Sequence, residues 1–229
     1  MKNLATLNAG LFFSLSLGVL EIILTDVQSP NNETMAFVLS SMMELGKKAP
    51  DFKLLDTVSG KSLTLSQLKS DVATVIFFIC NNCAFVHHIN PKLVELANKY
   101  QALGMQFVGI SSNDIKQFPQ DAPVFMTQMA KYQKYPFPYL YDEYQEAAID
   151  YGAECNLDFF VFDKNLACVY TGRFDMTRPS IQPATGTDLS AALDSILAGE
   201  NVDSNQYPSM GSSIAWKRGV PRKNFEMYY

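Results

Sequence analysis

The stretch Ala73-Thr-Val-Ile-Phe-Phe-Ile79, followed directly by Cys80-Asn-Asn-Cys83, decides the fold of this chain. Its first seven residues are mostly β-branched or aromatic and show no polar alternation, which is typical of a central strand buried on both faces. After Cys83 the apolar residues recur with a helical period, and one stripe is formed by Leu93, Leu96, Ala97 and Tyr100. The sequence therefore predicts a buried strand, two cysteines and then a helix.

Strands and helices alternate along the rest of the chain. The helix after Cys83 is predicted to kink or restart at Asn90-Pro91 and to end at Gly104, because proline removes a helical hydrogen bond and glycine favours helix ends. The other predicted elements are a strand and short helix over 62–68, strands over 105–111 and 139–141, helices over 123–132, 143–151 and 188–197, and a hairpin from 159–162 and 168–170. This order predicts an α/β fold with a mixed central β-sheet flanked by helices.

The length and composition indicate one globular domain with extensions. The chain has 229 residues, of which 48% are hydrophobic and 18% charged. A domain usually takes about 100–200 residues, so one domain is the simplest interpretation. We assign residues 1–44 to an N-terminal extension or targeting segment, 45–200 to the domain and 201–229 to a C-terminal tail.

The charge and the N-terminal sequence set limits on location and partners. The net charge is −5 and no long basic run is present, which argues against nucleic acid as a partner. The apolar run over residues 11–20 is too short for an integral membrane span, so none is expected. We expect a cytoplasmic protein, or an exported one if residues 1–34 contain a signal peptide. No Gly-rich phosphate loop is present, so no cofactor is expected.

The Cys80/Cys83 pair carries the chemistry that the sequence predicts. A thiol is nucleophilic as the thiolate, and backbone N–H groups at a helix N-terminus stabilise that anion. A second cysteine three residues later lies one helical turn away and can attack a mixed disulfide formed at the first. The sequence therefore predicts Cys80 as the attacking thiol with a lowered pKa and Cys83 as the resolving thiol.

The segment from Phe77 to Asn90 resembles the thioredoxin-like branch of the peroxiredoxin (AhpC/TSA, redoxin) superfamily. Similar segments are Lys48–Phe52, Ser112–Asp114, Tyr135–Asp142, Tyr151-Gly152, Asp158–Phe160, Gly172–Pro179, Ser209–Gly211 and Trp216-Lys217. The resemblance covers about residues 45–218. It implies a thioredoxin-like fold and thiol-based oxidoreductase activity at Cys80 and Cys83, but no particular substrate.

The chain departs from the pattern of that superfamily at several positions. Asn156 and Leu157 stand where relatives carry threonine and a cis-proline that faces the cysteine pair. Because a cis bond before leucine costs about 2.5–4 kcal/mol, a trans bond or a strained loop is expected. Ser212 stands where the tail often carries a cysteine, so a resolving role from the tail is unavailable. Ile76 and Cys80 replace the proline and threonine that a dedicated peroxidase would have upstream of Cys83.

Other titratable residues leave alternatives open. Cys155 is either a third redox thiol, a metal ligand or a small buried residue, whereas Cys168 is expected to be core. With His87, the three cysteines Cys80, Cys83 and Cys155 could form a zinc or copper site. His87 could also tune Cys83, or it could simply pack on the helix. Asp175 and Arg178 could place a charge near the site, although a surface turn is the simpler interpretation.

The leading functional prediction is a thiol–disulfide oxidoreductase or a peroxide-linked antioxidant protein. Its partners would be a protein disulfide or a peroxide as substrate and an external thiol as reductant. The alternative is a zinc- or copper-binding thioredoxin-like protein without turnover. A third possibility is a degenerate domain used only for protein interaction.

Overall fold

The protein, described here by a computed structural model over residues 37–220, is built around a seven-stranded mixed sheet. The sheet order is β3-β2-β6-β5-β4-β7-β8, from strands β2 (Lys53–Asp56), β3 (Ser62–Thr64), β4 (Ala73–Phe78), β5 (Gln106–Ser111), β6 (Tyr139–Tyr141), β7 (Phe159–Asp163) and β8 (Cys168–Gly172). The pairs β4/β5 and β5/β6 are parallel and the others antiparallel. The predicted mixed sheet is therefore confirmed.

Two apolar cores cover the two faces of this sheet. The α-helices in the described part of the chain are α1 (Leu65–Leu68), α2 (Ala84–Gln101), α3 (Pro123–Gln133), α4 (Glu146–Tyr151) and α5 (Thr187–Ala198). Val75 and Phe77 of β4 pack in a core with residues of α2, α3 and α5, whereas Ile76 and Phe78 pack in the other core with residues of α1 and α4. Every residue of β4 is buried, as its continuous apolar sequence predicts.

Two helices differ from their predicted form. Helix α2 runs through Pro91 without a restart, because proline removes only the one amide that would bond the His87 carbonyl, while Ile89 and Leu93 stay buried on either side. Helix α4 begins at Glu146 rather than at residue 143. The cause is the Asp142 carboxylate, which accepts hydrogen bonds from the first-turn amides of Ala147 and Ala148.

The chain after α5 returns to the domain rather than leaving it. Strand β9 (Met210–Ser212), within the segment assigned to a tail, pairs antiparallel with β1 (Phe37–Leu39). Ile214 and Ala215, which follow β9, are buried. The possible signal peptide in residues 1–34 lies outside the described residues. None of the helices within residues 37–220 combines the length and the apolar character that a membrane span needs.

Candidate functional site

The two cysteines lie between the end of the central strand and the start of the longest described helix. Strand β4 ends at Phe78, and Cys80 follows two residues later. Helix α2 begins at Ala84, so Cys83 is its N-cap residue. The exposed fractions are 1% for Cys80 and 3% for Cys83, and both thiols are free. The pair is therefore a reduced, buried dithiol at the carboxyl end of β4.

Four neighbouring groups favour the thiolate form of Cys83. They are the Cys80 thiol, the Ser212 hydroxyl, which lies 3.3 Å from the Cys83 sulfur, and the backbone amides of Val86 and Phe85 in the first helical turn. These donors, with the Cys80 thiol as the largest contribution, outweigh burial and lower the pKa of Cys83 from 9.0 to about 6. Of the two sulfurs, Cys83 is therefore the one whose surroundings favour the thiolate.

Cys80 has the opposite electrostatic environment. Complete burial raises the pKa of Cys80 well above its ordinary value, and the hydrogen bond that its thiol donates to Cys83 and the nearby Asp121 carboxylate raise it further. The prediction that Cys80 carries the lowered pKa is therefore wrong. The physical reason is the burial of Cys80 together with the hydrogen bond between the two thiols, which favours the proton on Cys80 and the charge on Cys83.

A buried carboxylate holds the two-residue turn between the cysteines. One oxygen of Asp121 accepts the backbone amides of Asn81 at 2.7 Å and Asn82 at 3.2 Å. Its other oxygen accepts the side-chain amide of Asn113 at 2.8 Å. Burial nevertheless raises the pKa of Asp121. Sequence analysis missed Asp121, because its distance of about 40 positions from the pair gives no local signal.

The loop that faces the pair has its own backbone constraint. Within residues 37–220 no peptide bond is cis, and Leu157 has a φ of 115°, a left-handed value that is costly for leucine. The expectation of a trans bond or a strained loop is therefore confirmed. The Leu157 amide donates to the Phe78 carbonyl at 2.8 Å, a bond that a proline could not make.

The proposed metal-ligand set is not brought together. The His87 ring donates to the Asn81 backbone, and burial lowers its pKa. The Cys155 thiol is buried and donates to the Asp158 carboxylate, and burial raises the pKa of Cys155 well above its ordinary value. Across the described part of the chain, no group of three or more His, Cys, Asp or Glu residues is arranged to hold a metal ion. The structure thus gives the zinc or copper hypothesis no ligand set.

The remaining candidates have structural partners of their own. Cys168 is buried in β8 among apolar side chains, as predicted. His88 shares a hydrogen bond of 2.8 Å with the Thr177 hydroxyl. Asp175 does not pair with Arg178. Its carboxylate instead accepts the amides of Thr177 and Gly186 and so closes the loop before α5.

Comparisons with known proteins agree with this architecture. The sequence pattern of the AhpC/TSA family matches residues 45–170, more than half of the chain. An uncharacterized conserved protein from Geobacillus kaustophilus is 49% identical, with a TM-score of 0.80 over 82% of this chain and 100% of its own. A hypothetical protein from Sinorhizobium meliloti 1021 is 40% identical, with a TM-score of 0.76 over 79% of this chain and 99% of its own.

A more distant structure supports the fold alone. A thioredoxin-like protein solved in its oxidized form is 18% identical, with a TM-score of 0.55 over 69% of this chain and 99% of its own. No curated protein matches the chain. The family match, the two similar bacterial structures and the mixed sheet together show that this chain belongs to the AhpC/TSA family and has a thioredoxin-like fold.

Proposed function

We propose that this protein is a thiol-dependent oxidoreductase in which Cys83 attacks the oxidant and Cys80 resolves the intermediate. The observation that carries this proposal is the position of Cys83 at the start of α2, where the Ser212 hydroxyl lies 3.3 Å from its sulfur and the Cys80 thiol is its neighbour in the pair. These donors favour the thiolate, which is the nucleophilic form. Both cysteines predicted from the sequence keep a role, but their order is reversed.

The first half-reaction oxidises the pair by two electrons. The Cys83 thiolate attacks either the terminal oxygen of a hydroperoxide, giving a sulfenic acid and an alcohol or water, or one sulfur of a disulfide, giving a mixed disulfide and a thiol. Cys80 then attacks the modified Cys83 sulfur, and its proton leaves with the departing hydroxide or thiolate. The product in both cases is a Cys80–Cys83 disulfide.

The second half-reaction needs an external thiol. A thiolate attacks the Cys80 sulfur and expels Cys83, and a second thiol then releases the bound reductant as its own disulfide. Two electrons thus pass from two thiol molecules to the pair. A cytoplasmic location, where thiol donors keep cysteines reduced, fits this cycle.

A redox titration with thiol counting tests the proposal. The protein is equilibrated in buffers of dithiothreitol and its oxidised form, and free thiols are then counted by alkylation and mass spectrometry. We expect one two-electron transition that removes the thiols of Cys80 and Cys83 while Cys155 and Cys168 stay reduced. Cys80→Ser and Cys83→Ser should each abolish the transition, and the matched control Cys168→Ser should retain it.

Two outcomes would contradict the proposal. One is a protein that keeps all four thiols at every ratio of the buffer. The other is a disulfide that includes Cys155 in place of Cys80, since the resolving role would then lie in the loop before β7 rather than in the turn after β4.

A further inference from the structure

The segment Ser209–Trp216, here called the strap, lies as an added strand along the loop that faces the cysteine pair. The Asn156 amide donates to the Ser212 carbonyl at 2.8 Å, and the Ile214 amide donates to the Glu154 carbonyl at 3.0 Å. Cys155 and Ser213 form an antiparallel bridge between these bonds. The hydrogen-bonding edge of residues 154–156 is therefore occupied by the protein's own chain.

The contact between the strap and the loop is too close for a side chain. A Cβ atom added to Gly211 would lie 2.4 Å from the Asn156 carbonyl oxygen, a backbone atom that cannot move away alone. The next residue, Ser212, places its hydroxyl 3.3 Å from the Cys83 sulfur. The glycine thus permits the approach that brings the serine onto the reactive sulfur.

The strap is also fixed on its other side. The Asp114 amide donates to the Ala215 carbonyl at 2.8 Å, and the Ala215 amide donates to the Asn113 side-chain oxygen at 2.9 Å. The side chain of Gln145 donates to the same Ala215 carbonyl at 2.9 Å. Because Ala215 is held by three hydrogen bonds, the strap is an integral part of the fold in the reduced protein.

We propose that the strap determines which reactants the dithiol accepts: it excludes polypeptide disulfides and admits small molecules. This inference rests on the proposed function. A polypeptide would bring a backbone on both sides of its disulfide, and a strand of it docked beside the pair would compete for the edge of residues 154–156 that residues 212–214 already occupy. A small disulfide or hydroperoxide needs only room for a few atoms beside Cys83.

A shallow cavity that opens to solvent lies beside the strap, and neither cysteine is among the residues that line it. Its walls include Leu157 of the loop and Met210 of the strap, together with Phe85, His88 and Arg178. The cavity therefore borders the same contact that closes the docking edge.

Two disulfides of different size test the proposal with the same chemistry. The reduced full-length protein is mixed with 2-hydroxyethyl disulfide or with insulin, and oxidation of Cys80 and Cys83 is followed by thiol counting. Each rate is divided by the rate at which dithiothreitol reacts with the same disulfide. Insulin should react only with molecules in which the strap has left the loop. If about one per cent of the molecules are in that state, the normalised rate with insulin should be roughly 100-fold lower than with the small disulfide. Equal normalised rates would overturn the proposal.

A matched pair of strap variants tests the cause of the restriction. Gly211→Ala forces the strap away from Asn156, so we expect the insulin rate to rise by about tenfold or more. Ser213→Ala, two positions later in the same segment, should leave the ratio unchanged. Trp216 is the single tryptophan of the chain, so a red shift of its emission in Gly211→Ala would report displacement of the strap. Displacement without a gain in insulin rate would contradict the proposal.

The outcomes separate this inference from the proposed function. If the pair forms its disulfide in the dithiothreitol titration but reacts equally well with both disulfides, only the specificity role of the strap fails. If the pair forms no disulfide in that titration, the proposed function itself fails. Should Gly211→Ala not fold, as judged by circular dichroism, the rate ratio of the unmodified protein still decides the question.

Discussion

Replacing Cys80 by alanine should raise the pKa of Cys83, because the largest contribution to the lowered pKa is the hydrogen bond that the Cys80 thiol donates. The substitution leaves the helix start and the Ser212 hydroxyl in place. It therefore removes one of the donors to the thiolate and tests the corrected order of the two cysteines directly.

The size of the shift follows from the environment of Cys83. Lowering the pKa from 9.0 to about 6 corresponds to roughly 4 kcal/mol of net preference for the thiolate. A hydrogen bond to a charged group is worth about 1.5–3 kcal/mol, or about one to two pKa units. Cys80→Ala should therefore move the pKa of Cys83 to about 7–8, and the thiolate fraction at pH 7 should fall from about nine-tenths to between about a half and a tenth.

Ultraviolet absorbance of the thiolate at about 240 nm, recorded against pH on the reduced protein, measures this pKa even for a buried sulfur. We expect the transition near pH 6 to be absent in Cys83→Ala and shifted upward in Cys80→Ala. Cys168→Ala, which truncates a buried thiol in the other core, serves as the control and should leave the transition in place. The reasoning is refuted if the transition near pH 6 survives in Cys83→Ala or stays in place in Cys80→Ala.

Three further outcomes are expected. The pKa of Cys83 is about 6 in the folded protein and 9.0 ordinarily, so the unfolded chain binds more protons between pH 6 and pH 9. The free energy of unfolding of the reduced protein should therefore rise over this range by up to about 4 kcal/mol relative to Cys83→Ala, as measured in urea titrations. Asp121→Ala leaves the buried amide of Asn81 without its acceptor and should destabilise the protein by about 2–4 kcal/mol in the same assay; a loss below 1 kcal/mol would contradict its role. Leu157→Pro should also destabilise the protein, by about 3 kcal/mol or more, because proline cannot adopt a φ of 115° or donate a hydrogen bond to the Phe78 carbonyl. An unchanged midpoint of urea unfolding would show that the loop readily adopts another conformation.

The fold was largely predictable because its signals are local. The continuous apolar sequence of β4, the helical stripe of α2 and the turn residues between β7 and β8 each specify their element within about ten residues. The errors fall where a distant or unusual contact overrides the local pattern. At the start of α4, for example, the Asp142 side chain and the left-handed Gln145 delay the helix.

The candidate site was only half predictable. The spacing of Cys80 and Cys83 predicts a reactive pair, but it does not show which sulfur lies at the start of the helix. That depends on whether the helix begins at residue 81 or at residue 84, a difference that sequence patterns rarely resolve. The Ser212 contact joins residues 129 positions apart, so no local motif could indicate it.

The arrangement around Cys83 favours both halves of the proposed cycle for a single reason. Hydrogen-bond donors that stabilise the thiolate make Cys83 available as a nucleophile near neutral pH, and they also make it the better leaving group when a reductant attacks the disulfide at Cys80. Stabilising the reduced form in this way raises the reduction potential of the pair, so an external thiol can restore it readily.

The raised pKa of Cys80 keeps a proton on that sulfur until the intermediate forms, which prevents two adjacent buried thiolates from repelling each other. We therefore infer that the asymmetry between the two sulfurs is the property on which turnover depends, since two identical environments would supply neither a dominant nucleophile nor a dominant leaving group.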